Sequence, residues 1–358
     1  MKRAALAGAL ACVVGCGSGP VPEPPRPPAP VTPQPPAAST SAAPAPTAFS
    51  AAPLPPAAPP ARGRLKIERT LPLATWPERV VVIGDDAWVT ESGKRRVARL
   101  SLKGDAPPTY VPVGRLPVDL ALAPNGKLYA VAQTDKQVWE IDPSTAKAKV
   151  FSTLPDCPEA MAIGGNALWV LLWTKCSSAG SSVVRVGLSD RKQSMSPPTG
   201  KDAWSLAHGA DRAWIAVADG TVAVLGDPSA PVATVASPKV EHTSRVIASG
   251  PNGIYLSEAN DVVRIDPATS ARARDARLDH RVLTIFADER RVVVGTRART
   301  LWLLDPETLE TQQTLRMPVA DADPRDVAPY GDGFVWIDPG PDREHARLFV
   351  LSVVSPEP

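Results

Sequence analysis

Three features of this 358-residue chain predict an all-β fold, a seven-bladed β-propeller closed by an N-terminal outer strand. A unit of about forty residues recurs seven times after Arg62. Each unit carries short strand signals in a fixed order, and the last unit is one strand short while a lone strand precedes the first. Units of about 40–45 residues suit a four-stranded blade, and a closed ring of blades leaves few exposed strand edges.

In chain order, Met1-Lys2-Arg3 and the apolar run Ala4 to Val14 read as a secretory leader, residues 1–15, too short for a membrane-spanning helix. The leader ends in Val13-Val14-Gly15-Cys16, which resembles a bacterial lipobox, so Cys16 is expected to be the lipidated first residue of the mature chain. Gly17, where an aspartate would signal retention in the inner membrane, points to the outer membrane. Residues 16–61 then form the lipidated cysteine and a linker, with 17 prolines among the 41 residues from Pro20 to Pro60. Such a segment cannot bury a core and samples extended polyproline conformations. At about 3.1 Å per residue it would act as a stalk reaching roughly 130 Å.

The propeller is assigned to residues 62–358. It opens with the lone strand Leu65–Leu71, expected to complete blade seven from outside. Each unit then has a first strand, a tight turn, and a second strand aligned on Trp88, Tyr129, Trp169, Trp214, Tyr255, Val293 and Trp336, at intervals of 41, 40, 45, 41, 38 and 43 residues. The turns are read at pairs such as Asp85-Asp86, Asn125-Gly126, Gly165-Asn166 and Asp211-Arg212, residues that tolerate positive φ. One aromatic per unit is expected to pack blade against blade. The third strands are β-branched or aromatic runs such as Val183–Val186 and Leu301–Leu304. Four of them run into Asp-Pro: Asp142-Pro143, Asp227-Pro228, Asp266-Pro267 and Asp305-Pro306. There the aspartate accepts from backbone ahead of it and proline presets φ for a turn into the fourth strand.

Charge excludes one class of partner. Lys plus Arg number 39 against 37 Asp plus Glu, a net charge of +2 that falls to near zero once Lys2 and Arg3 leave with the leader. Nucleic acid is therefore not an expected partner. Arginines cluster in blades five and six (Arg264, Arg272, Arg274, Arg277 among them), and acids in blade seven (Asp321, Asp323, Asp326, Asp338, Asp342, Glu344). Solvated faces account for both; the arginine side is also where an anionic envelope polymer would lie.

Of four cysteines, Cys12 leaves with the leader and Cys16 takes lipid. Cys157, in the loop into blade three, and Cys176, in that blade's loop between strands two and three, should emerge on one face and pair as a disulfide in an oxidising compartment.

That face is where propellers usually hold ligands. One aligned position heads each innermost strand: Arg79, Asp119, Ala160, Trp204, Arg245, Leu283 and Asp326. Blades seven, one and two are neighbours, so Asp326, Arg79 and Asp119 should meet at the channel mouth, with Glu78, Glu159 and Arg325 one residue before the ring. A self-satisfied ion-pair rim and a polar ligand or partner site are the two readings of this set. His242, His280 and His345 are expected on the same rim and His208 at the opposite end, without the spacing of a metal site. No nucleophile elbow, phosphate loop or paired-carboxylate motif occurs.

The stretches Pro117–Tyr129 (PVDLALAPNGKLY) and Val138–Pro143 (VWEIDP) resemble repeats of the NHL, YVTN and streptogramin-lyase-like propeller group, a resemblance that spans residues 65–353. It implies the fold; a shared fold does not transfer an activity. Within that group streptogramin B lyase holds a metal with His and Glu of its inner strands, a set these strands lack. A lactonase of the six-bladed gluconolactonase type would need Glu, Asn and Asp ligands, for which Glu78, Glu159 and Asp119 offer a partial match on a chain with seven repeats. The expectation is a lipid-anchored, monomeric binding or scaffold module of the cell envelope. It would take an envelope protein or polymer as partner, with no cofactor and no metal. The alternative is a metal-dependent lyase or lactonase.

Overall fold

The computed structural model describes residues 61–173, 176, 180–200, 202–217, 221–227, 233–236, 246–320, 323–340 and 345–354. The leader, Cys16, the proline-rich segment, Pro228, His242, Arg245, Asp321, Asp342 and Glu344 lie outside them.

The described chain is a seven-bladed β-propeller. Its innermost strands are Pro77–Ile83, Pro117–Leu122, Pro158–Gly164, Ala203–Gly209, Ile247–Gly250, Val282–Ala287 and Asp326–Tyr330, each the first of an antiparallel sheet that meanders outward. Blades one to five are four-stranded sheets built from consecutive strands. Blades six and seven join into one sheet through the N-terminal strand Ala61–Pro72. That strand pairs antiparallel with Arg347–Val354, Leu65 opposite Val353 and Thr70 opposite Phe349, as the lone-strand reading expects. It also does something the sequence did not announce: Ala61–Arg64 run parallel to Gln313–Arg316, the outer strand of blade six. Leu65 is buried between the two blades.

The core is a ring of apolar wedges, one between each pair of neighbouring blades. Trp88 of blade one packs on Leu120, Leu128 and Ala130 of blade two; Trp214 of blade four packs on Ile247, Ile254 and Leu256 of blade five. All six aligned aromatics are at most 3 % exposed. Trp336 corrects the alignment by one residue. Val335 holds the place equivalent to Trp88 and faces blade one, while Trp336 faces blade six beside Val293. Successive strand residues point to opposite faces, so one step changes the neighbouring blade.

The turns follow their residue chemistry with similar one-residue shifts. Gly165 and Asn166 both have positive φ, the pairing a two-residue hairpin turn demands. In blade four the pair is Ala210-Asp211 rather than Asp211-Arg212, and in blade one Gly84-Asp85. The Asp-Pro turns repeat one geometry: Asp142, Asp266 and Asp305 accept from the N–H of Ser144, Ala268 and Glu307 at 3.0, 2.8 and 2.9 Å. Cys157 and Cys176 form the expected disulfide, Cα–Cα 5.9 Å, over the mouth face of blade three. Closing a loop of this size is worth about 3 kcal/mol by chain entropy.

Candidate functional site: the channel mouth

Most innermost strands begin with a register shift, at Pro77/Val80, Pro117/Asp119, Pro158/Ala160, Ala203/Ser205 and Val282/Thr284. A bulge leaves one residue outside the ladder, and its neighbouring N–H must find another acceptor. Here the acceptor comes from the blade before. Asp326 Oδ2 accepts from Val80 N–H at 3.0 Å and Asp119 Oδ2 from Met161 N–H at 2.7 Å; on blade five, whose first strand pairs without a shift, Ser205 Oγ accepts in the same way from Ile247 N–H at 3.2 Å. These bonds define the ring as Arg79, Asp119, Ala160, Ser205, Val246, Thr284 and Asp326, each followed by a buried aliphatic. Trp204 and Leu283, read as ring positions, sit one step outward; Ser205 and Thr284 take their places. The ring therefore staples blade to blade, a role invisible without the bulge.

The structure brings Arg79, Asp119 and Asp326 together. Arg79 Nε donates to Asp119 Oδ1 at 3.1 Å, and its Nη1 lies 3.6 Å from Asp326 Oδ1. Thr284 donates to the same Asp326 oxygen at 3.2 Å. The two carboxylates are 7 % and 11 % exposed, Arg79 35 %, so this is a sunken triad and not the exposed rim of surface pairs. Asp119, first of all, and then Asp326 and Glu78 hold the Arg79 guanidinium more firmly protonated than usual, against the cost of burial. Burial pushes the Asp119 carboxyl up, opposed by Arg79 and by the N–H groups of Met161 and Leu120.

Glu78, Glu159 and Arg325 stand above the triad. Arg325 Nε donates to Glu78 Oε2 at 2.7 Å, joining blade seven to blade one. Gln133 Nε2 donates to Glu159 Oε2 at 2.7 Å. Burial pushes the Glu159 carboxyl up to about 7; Glu78 and Asp119 add to the shift, while Arg325 and the Gln133 bond oppose it. These groups line a cavity of about 400 Å³ with Trp76, Trp173 and Trp204. Trp76 and Trp173 lie in loops outside the repeat alignment, which hid them. A second cavity of about 400 Å³ has Val80, Leu120, Met161, Phe286 and Val327 among its walls, and Arg79 borders both.

Other candidate groups do not join this site. His208 lies at the opposite end of the channel, its ring tilted 37° to that of Trp169 with centroids 5.4 Å apart, and burial lowers its pKa. His280 pairs with Asp279 at 3.5 Å. Arg272 and Arg277 on the outer strand of blade five pair with Glu258 and Asp261, both at 3.0 Å.

No protein-family model matches the chain, and no curated protein matches it in sequence. Solved structures match it in shape. Virginiamycin B lyase from Staphylococcus aureus superposes with a TM-score of 0.67 at 16% identity, covering 81% of this chain and all 100% of its own. A streptogramin B lyase structure gives 0.66 at 13% identity over 81% and 98% of the two chains, and U3-55K gives 0.64 at 11% over 80% and 98%. At these identities the likeness establishes the fold alone, and a shared fold does not transfer an activity.

Proposed function

We propose that this chain is a lipid-anchored propeller of the cell envelope that binds a polar ligand or partner at the channel mouth and does no chemistry there. One observation carries the reading: the acidic groups of the mouth are already matched inside the protein. Asp119 and Asp326 are matched by Arg79 and backbone N–H groups, Glu78 by Arg325, and Glu159 by Gln133. A metal-dependent lyase or lactonase needs ligand atoms with open lone pairs converging on one point. Among the described residues, the one group of three such side chains close enough for an ion is Asp156, Cys157 and Cys176, where the thiols are joined to each other. What remains at the mouth is a concave, partly aromatic cavity with a few polar groups, the usual make-up of a binding site. The anchor, the stalk and the outer-membrane address come from the sequence of residues 1–60.

The test is photo-cross-linking in cells from a reactive amino acid placed at Trp76, with Lys149 on the outer strand of blade two as the control. Adducts formed from the mouth and not from Lys149 are expected. Equal labelling from both positions would overturn the binding reading, and a stoichiometric tightly bound divalent metal in the purified protein would favour the lyase or lactonase.

A further inference from the structure

We infer that the Cys157–Cys176 disulfide is a redox latch on the channel mouth, holding the blade-three wall in place until a thiol reductant releases it. The inference rests on the mouth being a binding site for its consequence, that reduction weakens binding there.

The latch joins two parts of one wall. Cys157 lies directly before Pro158–Gly164, the innermost strand of blade three, which carries Glu159; Cys176 lies just after Trp173. Glu159 and Trp173 both line the mouth cavity of about 400 Å³. Backbone bonds run through the same joint. Trp173 N–H donates to the Cys157 carbonyl at 2.7 Å, and Cys176 N–H donates to the Trp173 carbonyl at 3.2 Å. Trp173 is thus held between the two cysteines.

The blade joint itself does not require a covalent bond. In each of several blades the residue after strand two donates its N–H to the carbonyl of the residue before strand one: Ser92 to Trp76 at 3.0 Å, Gln133 to Leu116 at 2.9 Å, Ser257 to Val246 at 2.9 Å and Arg297 to Arg281 at 2.8 Å. Blade three makes the same bond, Trp173 to Cys157, and adds the disulfide. The other blades contain no cysteine; blade two adds an ion pair instead, Arg115 Nε to Asp135 Oδ1 at 2.6 Å. A bond beyond what the joint needs, placed beside two cavity-lining residues, restrains the wall more than the blade.

The bond is open to attack from one side, since Cys157 is buried and Cys176 is exposed. A thiolate of a dithiol reductant attacks the Cys176 sulfur, the S–S bond breaks, and Cys157 leaves as a thiolate that takes up a proton. The second thiol of the reductant then displaces Cys176 from the mixed disulfide. Two electrons and two protons have passed to the protein, and the reductant leaves as its own disulfide. The covalent restraint beside Trp173 is then gone, and hydrogen bonds alone hold its backbone.

Fluorine NMR of the full-length protein in detergent, labelled with fluorotryptophan, tests the latch before and after dithiothreitol. Trp173→Phe, Trp88→Phe and Trp214→Phe assign the three signals that matter. Reduction should move the Trp173 signal and leave in place those of Trp88 and Trp214, which pack between blades. A variant carrying both Cys157→Ser and Cys176→Ser should match the reduced wild type and ignore dithiothreitol. A Trp173 signal that stays put would overturn the inference. So would all three signals moving together, because the disulfide would then hold the whole fold. Photo-cross-linking in cells from the Trp76 position gives the second readout: the double serine variant should lose the adducts that the wild type forms, and equal capture by both would refute the effect on binding. No capture by either would sink the binding reading of the mouth, while the Trp173 signal still decides the latch.

Discussion

Arg79 on blade one donates to Asp119 on blade two at 3.1 Å, and Asp119 in turn accepts from the backbone of blade three. One short chain of contacts thus links three blades at the channel mouth.

Breaking that chain should be costly. Arg79→Ala leaves two carboxylates facing each other with little solvent. Truncating one partner of a buried pair costs about 3–5 kcal/mol, and the third of Arg79 that reaches water puts this case near the lower end. Chemical denaturation at pH 7 should therefore show a loss of about 3 kcal/mol. A loss under about 1 kcal/mol, the range of exposed pairs, would mean the triad is no staple.

Glu159 should make stability fall as pH rises. Its folded pKa of about 7 exceeds the ordinary 4.5, so between these values the folded state holds a proton that the unfolded state has lost. Folding is then penalised progressively from pH 4.5 to 7, and the penalty is complete above 7. Glu159→Gln should raise the melting temperature at pH 8, with little change at pH 4. Parallel curves for variant and wild type across this window would contradict the assignment.

Removing residues 62–72 should open blade seven and bare the outer strand of blade six as well, since the strand pairs with both. A lower melting temperature and concentration-dependent oligomers are expected, because two unpaired edges are created. Removing residues 20–58 should cause neither. Scanning calorimetry and light scattering on the two truncations decide; equal stability would refute the closure role.

Cys16→Ala should move the protein from the membrane to the soluble fraction after cell lysis. Continued membrane residence with unchanged acyl labelling would refute the lipid anchor.

The ring of blades was legible because burial alternates along each strand and the units repeat, so Trp88, Tyr129 and Trp214 announce their own strands. The register was less so. An aromatic is a poor ruler when the next residue is also large and apolar: Val335 and Trp336 are both fully buried, on opposite faces, and only strand pairing tells them apart. The same slip exchanged Trp204 for Ser205. Asp119, Arg79 and Asp326 could be gathered from sequence because adjacent blades put equal positions side by side. Their stapling role could not, since it depends on N–H groups freed by bulges. Trp76 and Trp173 belong to loops, which carry no repeat to align them.

The paired ends of the domain also set a clock. Leu65 is among the first propeller residues made, and its partner Val353 among the last. At about 5–20 residues per second, tens of seconds of synthesis separate the two strands. Throughout that interval blade seven cannot be completed, and the edge of the earliest strand that faces it waits unpaired. Final closure is a contact of nearly maximal sequence separation, the kind that forms slowly. The molecule's period of greatest exposure to misassembly is thus written into which strand was chosen to shut the ring.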